Sequence, residues 1–378
     1  MTDKTTPLLE VKHLKQYFPI NRSFSVKAVD DISFYINRGE TYGLVGESGS
    51  GKSTTGRSVI RLYNPTAGEI TFDGHDIGGK MTAKEKQFLK TKMQMIFQDP
   101  MTFLNPILKV GTQIEEQILR HTKCSKKEAR ERAIELMKKV GIPSPEKRID
   151  QYPFQFSGGM RQRIIIAIAL SCNPKLIIAD EPTTALDVTV QSQILELLQQ
   201  IAEETGTAII MITHDLGVVA TLCQKINIMY GGQIVEHGTT DEIFYNPKHP
   251  YTMGLLRSIG THTNGERQSL IPIPGTPINL LNMPKGCAFC PRCEEAMKSI
   301  DSCRNSGAKK LWLTHYGEVG ETTPELWQWF EDGLTAAKSR ILEIIRDNET
   351  PEEQLKAMEA VFWRPEKKGG WPQKAFDL

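Results

Sequence analysis

The chain has 378 residues, 46 of them basic and 45 acidic, for a net charge of +1. That length suggests roughly two or three domains and a sizeable buried core, and the charge balance excludes a global pull toward nucleic acid or an anionic membrane. Residues 1–7 are polar, unlike a secretory leader, and the longest apolar run, Ile164–Leu170, falls far short of the ~20 residues of a membrane span, so a soluble cytosolic protein that meets membranes only through partners is expected.

In chain order, Leu8–Phe18, Val26–Ile36 and Glu69–Phe72 have the composition of strands. Between them, Glu40–Val45 is a short apolar run that reads as a buried strand, and Thr54–Leu62 reads as a helix. Residues 83–141 are charge-rich with helical spacing and suggest a helical insertion. An α/β pattern resumes with strands at Leu176–Asp180 and Ala208–Thr213 and a helix over Ser192–Glu204 between them. Continuous apolar runs alternating with helices point to a parallel sheet covered on both faces. Beyond about residue 240 the texture changes, with Pro272, Pro274, Pro277 and Pro284 marking a loop-rich segment. Residues 304–378 hold all five tryptophans and amphipathic stretches around 324–346 and 351–362, which read as a small, mainly helical addition.

Residues 46–53 carry the most specific chemistry. Gly46, Gly51, Lys52 and Ser53 fill the pattern G-x-x-x-x-G-K-[ST], with Ser48, Gly49, Ser50 and Thr54 completing the turn. Glycines let consecutive N–H groups turn toward a phosphate. Lys52 is expected to reach the β- and γ-phosphates and the Ser53 hydroxyl to bind Mg²⁺. Phosphoryl transfer also needs a metal-binding carboxylate, met by Asp180 at the end of a buried strand, and a second one to polarise water, met by Glu181. The competing reading, that Asp180-Glu181-Pro182 merely opens a turn, is disfavoured by the phosphate loop upstream.

Four more features join these. Ser157-Gly158-Gly159-Met160 opens a helix, Gln98 follows an apolar stretch, Asp187 lies just beyond the acidic pair, and His214 ends a strand. Their order and spacing resemble the ATP-binding subunits of ABC transporters over residues 8–303. The resemblance implies a P-loop ABC ATPase cassette: a parallel-sheet α/β core with an antiparallel β part and a helical subdomain at about 100–170. It implies that Gln98 is the Q-loop glutamine contacting Mg²⁺, and that Ser157, Gly158 and Gly159 are the signature that meets ATP held by a second cassette. It also implies that Asp187 is the interface aspartate and His214 the switch histidine on the γ-phosphate. Met160 stands where the family usually carries glutamine. Tyr17 or Phe18 is a candidate to stack on adenine, with ordinary side-chain packing as the alternative.

Residues 247–293, with Pro247-Lys-His-Pro-Tyr-Thr-Met-Gly and Gly286-Cys-Ala-Phe-Cys-Pro-Arg-Cys293, resemble the C-terminal extension of di- and oligopeptide importer ATPases, which nickel importers share. The implied domains are 1–245 (cassette), 246–303 (extension) and 304–378 (tail). The implied partners are a second, different ATPase subunit, two integral membrane permease subunits and an extracytoplasmic peptide-binding protein, with this chain peripheral at the cytoplasmic face of the membrane. Cys287, Cys290, Cys293 and Cys303 have spacing suited to four thiolate ligands. The resemblance favours a [4Fe–4S] cluster there; Zn²⁺ and no metal at all stay open. Cys124, Cys172 and Cys223 read as core residues. An exporter ATPase is disfavoured because no membrane span is fused to the cassette. A ribosome- or DNA-acting ABC protein is disfavoured by the single cassette and near-zero charge. A kinase or GTPase would leave Ser157–Gly159 and His214 without a role.

Overall fold

The computed structural model describes residues 6–21, 24–98, 103–184, 186–259, 272–281, 283–284, 286–293, 310–313 and 317–321. Strands β3 (Thr41–Val45), β7 (Leu176–Asp180) and β8 (Ala208–Thr213) are buried at every position, as uninterrupted apolar runs require of strands covered on both faces. They form the middle of a sheet ordered β10-β9-β3-β8-β7-β6, with β6 at Met93–Ile96, β9 at Lys225–Tyr230 and β10 at Gln233–Thr239. All neighbours in it are parallel except the β9–β10 pair at one edge. A second, antiparallel sheet runs β2-β1-β4-β5, from β1 (Leu9–Pro19), β2 (Ser25–Ile36), β4 (Ala67–Phe72) and β5 (His75–Asp76).

Helix α1 (Lys52–Val59) follows β3, starting two residues earlier and ending three earlier than its sequence suggests. One apolar core joins the two sheets through it: Leu9, Val11, Ile32 and Phe72 share a cluster with Val59, Leu44, Ile178 and Ile210. At about 1.5–3 kcal/mol per buried aliphatic or aromatic side chain, this cluster is a major favourable term in the fold.

The insertion between the sheets begins with α2 (Ala83–Lys92), whose start is set by a capping box between Thr82 and Glu85. It is not wholly helical, because β6 interrupts it. Four residues are too few to show a period, and the segment becomes a strand by pairing Met93–Ile96 alongside Leu176–Ala179. Beyond it, α3 (Val110–His121) buries Val110, Ile114 and Ile118, and α4 (Lys126–Lys139) buries Ala129, Ala133 and Met137. These fourfold spacings lie on one face of each helix, and the faces pack together and against α6. After the short α5 (Pro145–Arg148), α6 (Gly158–Leu170) is buried all round over Ile164–Leu170.

Further helices among the described residues are α7 (Val188–Thr205), α8 (Leu216–Leu222), α9 (Thr240–Tyr245) and α10 (Pro250–Ile259). Strands β9 and β10 were not anticipated from sequence. Residues 246–284 and 288–292 fall in the same compact unit as the cassette. In the other unit, β11 (Lys310–Leu313) and β12 (Gly317–Glu321) pair as an antiparallel hairpin. The helical stretches expected at 324–346 and 351–362 lie outside the described residues. Among the described residues, no helix is long and apolar enough to cross a membrane.

Candidate nucleotide site

Parallel strands deliver their carboxyl ends to one edge of a sheet, which is where α/β proteins place ligand sites. Here the ends of β3, β6, β7 and β8 bring the phosphate loop, Gln98, Asp180–Glu181 and His214 to the same edge. They open onto a cavity of about 860 Å³ lined by Gly46–Gly49, Gly51–Thr54, Gln98, Glu181 and His214, together with Ala28 and residues from beyond 250. The volume lies within the usual range for small-ligand sites.

Two glycines in the loop are fixed by close approach. A Cβ on Gly46 would sit 2.1 Å from the Met229 carbonyl oxygen. One on Gly51 would sit 2.2 Å from the Ala28 carbonyl oxygen, and Gly51 also has φ +100°. The loop is thus held against β2 and β9 by contacts that only glycine permits. Ser50 is buried; its carbonyl accepts from Gly232 N–H at 3.0 Å, so it supports the loop from behind.

Lys52 is 5% exposed. Its ammonium donates to the carbonyls of Gly46 at 2.7 Å and Glu47 at 2.8 Å. Burial lowers its pKa, opposed by the carboxylates of Glu181, Asp180 and Glu47. Asp180 is fully buried and accepts from the Ser53 hydroxyl at 2.7 Å, with Arg57 at 3.5 Å from its other oxygen. Burial raises this carboxyl's pKa, and Ser53 and Arg57 work against the rise. A hydroxyl and a carboxylate oxygen this close, facing a phosphate loop, form a hard oxygen pair that suits Mg²⁺.

Glu181 has φ +47°, an uncommon conformation for a residue with a Cβ and one that recurs at functional sites. Its N–H donates to the Ile212 carbonyl at 2.8 Å, which fixes the backbone across the sheet. Its carboxylate accepts from Gln98 Nε2 at 2.8 Å and Thr184 Oγ1 at 2.9 Å, and faces His214 Nδ1 at 3.3 Å. Side chains from three strand ends therefore converge on one carboxylate at the cavity wall.

The other expected site residues lie elsewhere. The Tyr17 hydroxyl donates to Asp30, Lys27 lies over the Tyr17 ring, and Phe18 packs edge-on against Tyr63 at 5.3 Å; neither Tyr17 nor Phe18 lines the cavity. Ser157 caps α6 by accepting from Met160 N–H, and both Ser157 and Gly158 are exposed. Gly159 is buried, and a Cβ there would meet Val190 at 2.4 Å. Asp187 caps α7 through Val190 N–H at 3.0 Å. These four lie outside the cavity lining.

The family model described as "ABC transporter" matches residues 29–184, and that described as "Oligopeptide/dipeptide transporter, C-terminal region" matches residues 235–299. The chain is 51% identical to the oligopeptide transport ATP-binding protein OppD of Bacillus subtilis (strain 168), over 83% of this chain and 88% of that one. The chain belongs to the ABC transporter family. A dipeptide transport ATP-binding protein, DppD of Lactococcus lactis subsp. cremoris (strain MG1363), is 49% identical over 82% of this chain and 90% of its own length. Among solved structures, a dimeric post-hydrolysis ATP-binding cassette bound to ADP and Pi is 28% identical with a TM-score of 0.56, covering 61% of this chain and 98% of that one.

Of the cysteines expected to ligate metal in this ABC protein, Cys287, Cys290 and Cys293 are described and Cys303 lies outside the described residues. Among the described residues, no group of three or more His, Cys, Asp or Glu side chains converges as a metal site requires. Cys172 and Cys223 are core residues, as expected, and burial pushes both thiols up.

Sequence reasoning missed the part of the cavity wall that comes from beyond residue 250: Leu255, Ser258, Pro272, Ile273 and Leu280. The resemblance of 247–293 to the importer extension did not point to the nucleotide cavity, which these residues reach only by tertiary folding.

Proposed function

We propose that this chain is the ATP-hydrolysing subunit of a binding-protein-dependent importer of di- or oligopeptides. The observation that carries the reading is the meeting of Gln98, Glu181 and His214 beside a complete phosphate loop, on a chain whose extension matches the oligopeptide/dipeptide family. Loop N–H groups and Lys52 hold the β- and γ-phosphates of ATP. Ser53, Asp180 and Gln98 would hold Mg²⁺, which would offset negative charge on the phosphates. Glu181 takes a proton from the attacking water, and His214 steadies both Glu181 and the γ-phosphate.

Ser157, Gly158 and Gly159 open α6, and the first N–H groups of a helix lack intrahelical partners and suit an anion. They are absent from the lining of this chain's own cavity, so in this reading they and Asp187 serve ATP held by a second cassette. Two cassettes then close on ATP and reopen after hydrolysis; the likeness to a dimeric cassette supports this. The second cassette is a different subunit, the pair sits under two integral membrane subunits at the cytoplasmic face, and an extracytoplasmic binding protein delivers the peptide. The domain limits 1–245, 246–303 and 304–378 belong to the same reading. A nickel cargo is the alternative within the group; the relatives named above carry peptide names. A cysteine-bound iron–sulfur cluster rests on the cysteine spacing and the family resemblance, and no step depends on it.

The test is affinity purification of the tagged chain from detergent-solubilised membranes. A second cassette and two integral membrane chains should co-purify, with ATPase activity rising on addition of peptide-loaded binding protein. Co-purification with ribosomes or DNA, or stimulation by nickel and not by peptide, refutes the peptide-importer reading.

A further inference from the structure

Residue 47 is the first variable position of the phosphate loop, and the C-terminal extension grips it twice. Its backbone N–H donates to the Tyr251 hydroxyl at 2.9 Å. Its carboxylate receives both ends of the Arg292 guanidinium, Nη1 at 2.7 Å and Nη2 at 3.2 Å. The Arg292 side chain is only 6% exposed, so this is not a solvated surface pair. Its other contacts hold the guanidinium plane in place. Nε donates to the Pro274 carbonyl at 2.8 Å, Nη1 reaches the Tyr230 hydroxyl at 3.3 Å, and the group lies over the Tyr230 and Phe289 rings at 5.7 and 5.8 Å. A planar five-donor fork is needed to make all of these at once. Tyr251 is completely buried and packs against Tyr230 at 4.7 Å and Phe289 at 5.2 Å between ring centres.

Glu47 also touches the machinery. Its carbonyl accepts from Lys52, and the residue lines the same cavity. An uncompensated carboxylate on that wall would repel a triphosphate and would leave the loop's first turn unanchored. We propose that Arg292 and Tyr251 are positioning residues through which the C-terminal extension sets the affinity of the phosphate loop for ATP. Arg292 neutralises Glu47 and fixes its side chain, while Tyr251 fixes the backbone that presents the Glu47 carbonyl to Lys52. The inference rests on the reading of Gly46–Ser53 as the ATP site.

The experiment measures binding of a fluorescent ATP analogue with Mg²⁺ to the purified full-length chain and its variants, each first checked by circular dichroism. Arg292→Ala should weaken binding by about tenfold or more, equivalent to about 1.4 kcal/mol. Arg292→Lys keeps the charge without the fork and should fall between that variant and wild type. With Glu47→Gln already in place, adding Arg292→Ala should cost under about threefold, because the charge to be neutralised is gone. A merely structural role predicts the same loss in both backgrounds. Arg292→Ala and Arg292→Lys both binding within about twofold of wild type, or equal losses in the two backgrounds, overturn the proposal. Should Arg292→Ala fail to fold, Arg292→Lys is judged alone and in the Glu47→Gln background by the same criteria. Lys52→Ala separates the two levels. If it binds normally, the loop is not the ATP site; if it loses binding while the Arg292 variants do not, only the present inference fails.

Discussion

Replacing Glu181 with glutamine should leave ATP binding within about twofold of wild type and slow hydrolysis by about 10²–10⁴, the usual contribution of a positioned base. That loss corresponds to about 2.7–5.4 kcal/mol of barrier. The separation of binding from chemistry follows from the contacts. Oε2 now accepts from Gln98 Nε2 at 2.8 Å and Thr184 Oγ1 at 2.9 Å, while Oε1 faces His214 Nδ1 at 3.3 Å. An amide oxygen in the place of Oε2 keeps both of the first two donors. The amide NH₂ then donates to Nδ1 of a neutral imidazole, so all three partners stay satisfied. The backbone at φ +47° is the same for both residues. What disappears is the basic lone pair, while Lys52, Ser53 and the loop amides are untouched. The assay is equilibrium binding of labelled ATP alongside single-turnover hydrolysis in the assembled transporter. Hydrolysis within about threefold of wild type at full occupancy refutes the role of Glu181 as base. Binding weakened more than about tenfold shows instead that the carboxylate charge itself supports the site.

Gly159→Ala places a Cβ 2.4 Å from Val190 Cγ1, whereas the nearest atom to a Cβ on Gly158 is Leu186 Cδ2 at 3.5 Å. Calorimetry should find Gly159→Ala destabilised by about 1–3 kcal/mol and Gly158→Ala nearly unchanged; adding Val190→Ala should recover part of the loss. His249 supplies the pH dependence. Burial holds its imidazole below the ordinary histidine range, against the pull of Glu236, and its Nδ1 accepts from Tyr251 N–H at 3.1 Å. The fold therefore disfavours protonation of His249 relative to the unfolded chain, which gains a proton near the ordinary value of about 6.5. Below that pH the unfolded state binds more protons, so this residue's contribution to stability falls as pH drops. Melting temperatures of wild type and His249→Gln between pH 7.5 and 5.5 should converge toward low pH; parallel profiles exclude His249 as the source.

The sequence was most informative where structure is local. Gly46–Ser53 reads as a phosphate loop because the apolar strand before it and the helix after it are continuous in the chain. Leu176–Asp180 reads as a buried strand for the same reason, which put Asp180 and Glu181 at a strand end. Strand β6 escaped notice because Met93–Ile96 directly continues a charge-rich helical run, and the β11–β12 hairpin because Gly317, Glu318, Gly320 and Glu321 leave β12 without an apolar pattern. The cysteine spacing, by contrast, suggested a ligand set that the described residues do not assemble. Spacing sets how far side chains can reach, and the backbone path decides whether they converge.

The sequence by itself therefore determined the family, the loop that meets phosphate, and the acidic pair beside it, since each is encoded within a few consecutive residues. Tertiary structure decided which of the motifs share one cavity. Parallel pairing brought Gln98, Glu181 and His214 together while leaving Ser157–Gly159 outside the lining. It also brought Arg292 onto Glu47 across a separation of 245 residues. Contacts at that range carry no local signature, because burial and charge pairing that stabilise them come into being only when the chain has folded.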